Sequence, residues 1–518
     1  MFLVWRRYMK QWNNTLILKV LEKINIQNGE KWVIYGTGNG AEILCSALIE
    51  LKSIGAIKYV IDRDDVVLEG SFFHEIPIVK LDSVSDGIDG ILIAAMDNGD
   101  VIKKRIVGCL EETLLDRVKV VDVYAETSGL GKLEYVTFLE DSVIKKSDEF
   151  VPFDEKSFFR DEKDTKIITW YLPQFHQIEI NNKFHGQGFT EWTNTTRAIP
   201  LFTGHYQPHI PYDVGYYDLM NIDTLKRQIK LAKHYGIYGF CMHYYWFSGK
   251  RIMEKPLEMF FENKELDMPF CLNWANESWN ALWDGSNKEI ILEQKLRDGD
   301  DDKFMDDILP YMKDPRYIKI EGKPVLVVYR MKMFEKEQIK KTLYSFRERA
   351  KVEGFPDLYI MTTNVCKFQE DVSEWGADAL VEFPFHEVHN LMEPYRPIGY
   401  LNPNFKGIIK DATEFINQQK YFIKHMSKKY FRSALVSWDN TARKATTGAV
   451  VLTGLNPCTF KKWLSDIIKE SQEVHLESEN IVFVNSWNEW AEGSHLEPDM
   501  KYGYAYLQAV KEALEESR

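Results

Sequence analysis

The chain is 518 residues long with a mass of 60.7 kDa, too long for one ordinary hydrophobic core, so two or more domains are expected. A hydrophobic fraction of 45% with 28% charged residues is ordinary globular composition, and 65 basic against 78 acidic residues leave a formal charge of −13, which repels nucleic acid and favours a neutral substrate. No apolar run reaches membrane-spanning length, and six scattered cysteines, with no CxxC pair and no histidines at ligand spacing, speak against a metal site or a disulfide framework.

The first residues, MFLVWRRYMKQW, hold a four-residue apolar run that precedes its basic pair, the reverse of a secretory leader. A cytoplasmic protein is expected, one that can touch the inner membrane face through its first dozen residues. After an amphipathic helix near Leu16 to Ile24, Lys31 to Tyr35 reads as a strand, followed at once by Gly36-Thr37-Gly38-Asn39-Gly40-Ala41. A helical run, Glu42 to Leu51, and a second strand, Lys58 to Ile61, end at Asp62. This is a βαβ unit with a glycine-rich first turn and an acidic residue about twenty positions on, the dinucleotide pattern in its proper context. Gly36, Gly38, Gly40 and Asp62 are therefore candidate nucleotide-binding residues. The alternative is a tight turn in a Rossmann-like domain that binds nothing. Further strands at Ile91 to Ala95 and Val118 to Val121, with a helix near Val101 to Leu110, complete a small doubly wound sheet over residues 1–125.

From 126 to 164 the pattern loosens into charge-rich sequence without a sustained period, read as a linker that contains the domain boundary. Over 165–518 the chain alternates. Strand-like runs at Ile167 to Leu172, Gly239 to Tyr244, Pro269 to Asn273, Pro324 to Tyr329, Leu358 to Thr362, Ala379 to Glu382, Ala434 to Trp438 and Ile481 to Asn485 are separated by helical stretches. The helices are expected at Ile222 to Tyr235, Asp302 to Met312, Glu335 to Val352, Thr413 to Lys429, Phe460 to Glu473 and Ala505 to Glu516. Eight strands alternating with helices predict a (β/α)₈ barrel with insertions, so the whole is α/β: a Rossmann-like sheet followed by a TIM barrel.

In such a barrel, chemistry collects at the C-terminal strand ends, and here those ends are rich in polar and aromatic groups. The first strand releases Tyr171, Gln174 and His176, the second His243, Tyr244, Tyr245 and Trp246, and the third Asn273, Trp274, Asn276 and Glu277. Tyr329 and Arg330, Asn364, Glu382 and His386, and then Trp438, Asp439, Asn440 and Arg443 follow the next four. The loop Gly186 to Thr196 adds Glu191 and Trp192 and is expected to fold over the mouth. Taken singly, His243 and His386 read equally well as core histidines, and Asp439 with Arg443 as a structural pair. Together they predict one functional face.

The last strand is the most informative. Ile481 to Val484 is apolar, and Asn485, Trp487, Asn488, Glu489, Trp490, Glu492 and His495 follow within a few residues. Two carboxylates three residues apart and flanked by indoles suit acid/base work on a sugar, because aromatic faces stack on pyranose C–H surfaces and a partly desolvated carboxyl can hold a proton for a leaving oxygen. The alternative is that Glu489 caps a helix and the tryptophans are core.

These blocks resemble the WbsX-type proteins of bacterial surface polysaccharide loci, a family related to glycoside hydrolase family 99. The resemblance covers about residues 165 to 518 and rests on YLPQFH at Tyr171 to His176, GFTEWTN at Gly188 to Asn194, YGIYGFCMHYYWFSGKR at Tyr235 to Arg251, PFCLNWANESW at Pro269 to Trp279, SWDNTARK at Ser437 to Lys444 and NSWNEWAEGSHLEPD at Asn485 to Asp499. It implies a barrel that needs no cofactor and that acts on a mannose-like, 1,2-trans sugar in O-antigen or capsule metabolism, on an oligosaccharide, a polysaccharide or a lipid-linked form. In the hydrolases the two matching carboxylates act together. By that likeness Glu489 removes the proton of the sugar's 2-hydroxyl so that O2 attacks C1, and Glu492 protonates the departing oxygen and then activates the water that opens the 1,2-anhydro sugar, with net retention. The hydrolases carry a histidine where this chain has Ala491. Two other readings stay open: a glycosyltransferase of surface polysaccharide assembly, the label the WbsX-type family often carries, and a carbohydrate-binding barrel without catalysis.

Overall fold

The computed structural model describes residues 17–18, 20–27, 29–63, 70–84, 87–95, 99–109, 117–126, 146–202, 204–280, 290–395, 397, 401–402 and 404–518. The first dozen residues, much of the 126–164 stretch and Leu110 lie outside them. The chain divides into two units, one of Met1–Ser142 with Pro200–His205 and Pro397–Asn404, the other of Val143–Ile199, Tyr206–Arg396 and Phe405–Arg518.

In the first unit β1 (Trp32–Tyr35), α1 (Asn39–Glu50), β2 (Ile57–Ile61), β3 (Phe72–Phe73), β4 (Ile76–Val79), β5 (Gly90–Ile93), α2 (Gly99–Cys109) and β6 (Lys119–Asp122) build one sheet of order β3-β4-β2-β1-β5-β6. All its pairs are parallel except the β3–β4 hairpin. The central β1, WVIY, is buried on both faces, which is why it reads as a continuous apolar run. Separate apolar clusters form on either side, one around Ile34, Leu44 and Val60, the other around Val33, Ile91 and Ile106. This is the doubly wound sheet that the sequence predicts.

In the second unit the barrel strands are β7 (Lys166–Tyr171), β8 (Gly239–Phe247), β9 (Phe270–Trp274), β10 (Lys323–Val328), β11 (Tyr359–Thr363), β12 (Ala379–Val381), β13 (Tyr430–Phe431), β14 (Ser433–Leu435) and β15 (Ile481–Asn485), each pairing in parallel with its neighbours. The seventh stave is interrupted. β13 pairs with β12, β14 pairs with β15, and Arg432 sits between the halves. The helices used below are α3 (Glu191–Arg197), α4 (Ile222–His234), α5 (Asp300–Met312), α6 (Lys336–Val352), α7 (Thr441–Lys444), α8 (Pro457–Val474) and α9 (Ala505–Glu516).

All eight strand positions read from the sequence hold a strand, with two corrections around the seventh. Ala434 to Trp438 is not one strand, because Trp438–Asp439 leaves the barrel and pairs antiparallel with Val450–Thr453 in a four-stranded side sheet. The helix expected over Thr413 to Lys429 stops at Asn417. The backbone then turns through Gln419 at φ +52°. Beyond it Tyr421 stacks on Trp463 of α8 at 5.1 Å and His425 bonds Glu382 at 2.7 Å, so tertiary partners on different elements override the helical pattern.

The division between the units falls at Ser142/Val143. Residues 146–164 are held to the second unit by Val151 N donating to Tyr502 O at 3.1 Å, by Lys511 of α9 pairing with Asp154 at 2.5 Å, and by Arg518 pairing with Asp164 at 2.7 Å. The barrel interior is filled by large rings, with Trp170 stacked on Phe483 at 5.2 Å and tilted against Phe383 at 5.5 Å, so the axis is packed below the strand ends.

Candidate active site

A cavity of about 420 Å³ opens above these rings. Of the residues read as candidates from the sequence, Gln174, His243, Tyr245, Glu277, Tyr329, His386, Trp438, Asn440, Arg443, Asn485, Glu489 and Glu492 line it. Alternation along β8 decides which members of the HYYW run take part. Side chains two apart share a face, so His243 and Tyr245 face the cavity together with Phe247. Tyr244 instead packs on Phe304 and Tyr311 of α5, and the Trp246 indole donates to Asp307 of the same helix at 2.7 Å. Trp274 packs on Phe304 and Phe346 in the same outer layer, and Tyr171 donates to Gln228 of α4 at 2.8 Å.

Other candidates position the rim without reaching the cavity. Asn276 brackets Arg330 through its backbone N and O at 2.7 and 2.9 Å, and Asn488 does the same to Leu172 at 2.8 and 3.0 Å. Asp439 accepts from Gln207 and Thr441. Glu382 takes Arg432, His425 and the Ser433 N–H into a buried network. Asn273 and His176 are buried and outside the wall. Trp192 donates to Tyr217 O at 2.7 Å and packs on Phe175 and Trp490.

The loop carrying the two carboxylates is built around a residue that the sequence reading passed over. Glu497 is 1% exposed and accepts four hydrogen bonds, from Gln228 (2.7 Å) and Trp487 (3.1 Å) on Oε1 and from Trp490 (2.7 Å) and Tyr217 (2.8 Å) on Oε2. Indole N–H groups can only donate, so Trp487 and Trp490 are fixed by this carboxyl and serve as core. Burial pushes Glu497 up to about 7, against the four donors that hold it down. Its signal in the sequence was a third glutamate in the same block, in HLEPD, two residues past His495.

On that scaffold Glu489 follows a short strand paired with Ser494–His495, and its N–H donates to Ser486 Oγ at 2.9 Å. Glu492 ends the next turn, closed by Gly493 at φ +63°, a conformation that glycine adopts without strain. Arg443 of α7 bridges the two. Its Nη2 lies 2.5 Å from Glu489 and its Nη1 2.7 Å from Glu492, while Nε and Nη2 donate to Glu191 at 3.1 and 3.0 Å. The Glu489 side chain is 8% exposed and that of Glu492 22%, so Glu492 stands nearer the opening. Burial raises both carboxyls above their ordinary range. Arg443 opposes the rise and Glu191 adds to it.

Around the pair much of the wall is aromatic. Trp438 and Phe385 stack face to face at 3.6 Å, a slab suited to the C–H face of a sugar ring. The Trp438 indole N–H is buried and has no hydrogen-bond partner among the described residues. Burial holds His243 and His386 at about 4, so both are neutral near pH 7. Trp279, Phe383, Phe385 and Lys444 also line the wall and were not singled out from sequence, although Trp279 and Lys444 end two of the quoted motif blocks.

Among the described residues one group brings metal-ligand atoms together, His209, His495 and Asp499, all within 4.8 Å of one another. The His495 Nδ1–H donates to Glu497 O at 2.9 Å. This leaves Nε2 to accept from His209 Nδ1 at 2.8 Å, and that hydrogen bond accounts for the approach without an ion. In the first unit, Gly36 is at φ +114°, and a Cβ on Gly40 would lie 2.0 Å from Ala94 O. Asp62 receives the Thr37 N–H at 2.8 Å and the Thr37 hydroxyl on one oxygen and the Arg63 N–H at 2.7 Å on the other, so its carboxylate fastens the glycine turn itself.

The family model described as glycosyltransferase WbsX matches residues 167–510. The WxcX proteins of two strains of Xanthomonas campestris pv. campestris are each 33% identical over 353 residues, 67% of this chain and 49% of theirs, so the chain spans about half the length of the curated relatives it matches. Among solved structures, a glycoside hydrolase-like protein aligns at 15% identity and a TM-score of 0.44, covering 71% of this chain and 98% of that one. A GH99 endo-α-mannosidase from Bacteroides thetaiotaomicron aligns at 12% and 0.41, covering 70% and 98%.

Proposed function

The chain belongs to the WbsX glycosyltransferase family, and from that premise we propose that its barrel makes or breaks the glycosidic bond of a mannose-like, 1,2-trans sugar by acid–base chemistry shared between Glu489 and Glu492. The observation that carries this reading is the convergence of both carboxyls, released by the same strand, on one cavity walled by the Trp438–Phe385 slab. Glu489, the deeper of the two, is suited to accept the proton of the sugar's 2-hydroxyl, so that O2 attacks C1 and the 1,2-anhydro sugar forms. Glu492, nearer the opening, donates a proton to the departing oxygen and then removes one from the incoming water or acceptor hydroxyl as its oxygen bonds C1, while the C1–O2 bond of the anhydro ring breaks and Glu489 returns its proton to O2. Each bond that breaks is matched by one that forms, and the configuration at C1 is retained.

The same steps serve hydrolysis when water enters and transfer when a sugar hydroxyl enters, and the family's description favours transfer as the second reading. That second reading draws on a nucleotide sugar, for which Gly36, Gly38, Gly40 and Asp62 are the candidate binding residues. No helix among the described residues is long and apolar enough to cross a membrane.

The test is incubation with aryl α-mannosides and, separately, with nucleotide sugars plus oligosaccharide acceptors. Release of aglycone, abolished in Glu492→Gln, is the expected result. Turnover of a 2-deoxy analogue at the rate of the parent would refute the internal-nucleophile route, since that substrate has no O2 to attack.

A further inference from the structure

We propose that Arg443, anchored by Glu191, is the positioning residue that holds Glu489 and Glu492 in register at the cavity, and that an alanine contact between three short elements is what lets it reach them. The proposal rests on the reading of Glu489 and Glu492 as the reacting pair.

The guanidinium is used almost completely. Nε and Nη2 face Glu191, Nη2 also faces Glu489, and Nη1 faces Glu492, with Gln174 Oε1 at 3.3 Å as a further acceptor. The Arg443 side chain is 11% exposed and that of Glu191 3%. Glu191 does not line the cavity, so its work is done through the arginine. A planar fork can serve three acceptors at fixed angles, whereas a lysine is a point charge on a flexible stem. Buried carboxyls packed this closely are costly to ionise together. The raised Glu489 and Glu492 carboxyls, facing one guanidinium, favour one protonated group beside one ionised group, the arrangement that a general acid working beside a general base requires. The other ionisable groups facing the pair are Lys444 from α7, Tyr245 from β8 and Tyr329 after β10.

The approach of α7 depends on small side chains. Ala442 of α7, Ala198 at the end of α3 and Ala491 between the two indole- and carboxyl-bearing positions pack together, at 2%, 8% and 0% exposure. Ala491 is fully buried against α7, so a larger residue there presses on the element that carries the guanidinium.

The experiment is carbon-13 NMR of the 518-residue chain labelled at glutamate carboxyls, with Glu489 and Glu492 assigned through their Gln variants, alongside the pH profile of kcat/KM. In Arg443→Met the midpoints of the pair are expected to rise by about one unit or more, the scale of losing a close opposite charge. Arg443→Lys is expected to recover part of that shift. Glu191→Gln removes a like charge and moves the midpoints down. Ala491→Leu is expected to shift them in the same direction as Arg443→Met, and Ala491→Val carries the same test should the leucine variant not fold. A merely structural arginine would lower the melting temperature and leave the midpoints in place, and that result in folded Arg443→Met overturns the proposal. Unmoved midpoints in the folded Ala491 variants overturn the alanine part. If the wild type turns over no glycoside at all, the proposed function falls while the titration still reads the arginine.

Discussion

The side chain of Glu489 is 8% exposed and that of Glu492 22%. Under the proposed function the deeper one meets the sugar's 2-hydroxyl, and the more open one meets the leaving group and the water. Replacing either by glutamine keeps the shape and removes the titrating proton, so kcat/KM is expected to fall by about 10²–10⁴-fold in each, measured on an activated aryl glycoside. The pH dependence has a definite sign. Both carboxyls are raised, so the folded chain binds protons more tightly than the unfolded one. Their contribution to stability is complete below the ordinary carboxylate range and is lost as pH rises through the raised values. Activity should fall over that same alkaline limb as the acid loses its proton, and Glu489→Gln should flatten the slope of melting temperature against pH. The three histidines run the other way. His176, His243 and His386, each held at about 4, take up protons on unfolding, so they weaken the fold as pH drops from about 6.5 toward 4.

At the scale of an element, the catalytic loop is a short hairpin and a turn tied to a single buried carboxyl. Glu497 accepts from two indoles, an amide and a phenol, and a glutamine in its place would set an NH₂ group against donors that have nothing else to bond. Glu497→Gln is expected to cost about 2–3 kcal/mol of stability, read by chemical denaturation with tryptophan fluorescence as the probe. It should lower activity through disorder of the loop, without the clean loss of the acid seen in Glu492→Gln. The β8 strand shows how far a motif can be read. HYYW announced a functional edge, yet the strand's two-residue period sends His243 and Tyr245 to the cavity and Tyr244 and Trp246 to α5. That period was available in the sequence and would have added Phe247. The pairing of Trp438 with Phe385 was not, since Phe385 lies in a short helix after β12 and Trp438 in the side sheet, and the two meet only in the folded barrel unit.

At the scale of the whole molecule, the two units have separate apolar cores, and all residues of the barrel cluster lie at Phe153 or beyond while those of the amino-terminal clusters lie at Tyr124 or before. Calorimetry is therefore expected to resolve two transitions. Gly90 stands in β5 with its Cβ position 2.2 Å from the Trp32 ring, so Gly90→Val should shift only the amino-terminal transition, by about 1–3 kcal/mol or more from overpacking, and leave glycoside turnover unchanged. Movement of both transitions together would contradict the separation of cores. By itself the sequence determined the local facts: apolar runs that must be buried strands, a glycine turn opening a helix, eight strands alternating with helices, and a pair of glutamates after the last one. These are set by short-range sterics and by burial, which act along neighbouring residues. Only the tertiary structure decided which side chains share the cavity, that Arg443 ties Glu191 to both glutamates, and that Glu497 supports them. Those contacts join positions as much as 280 residues apart, as in the bond from Tyr217 to Glu497, and no local pattern specifies them because they exist only once the barrel has brought its strand ends together.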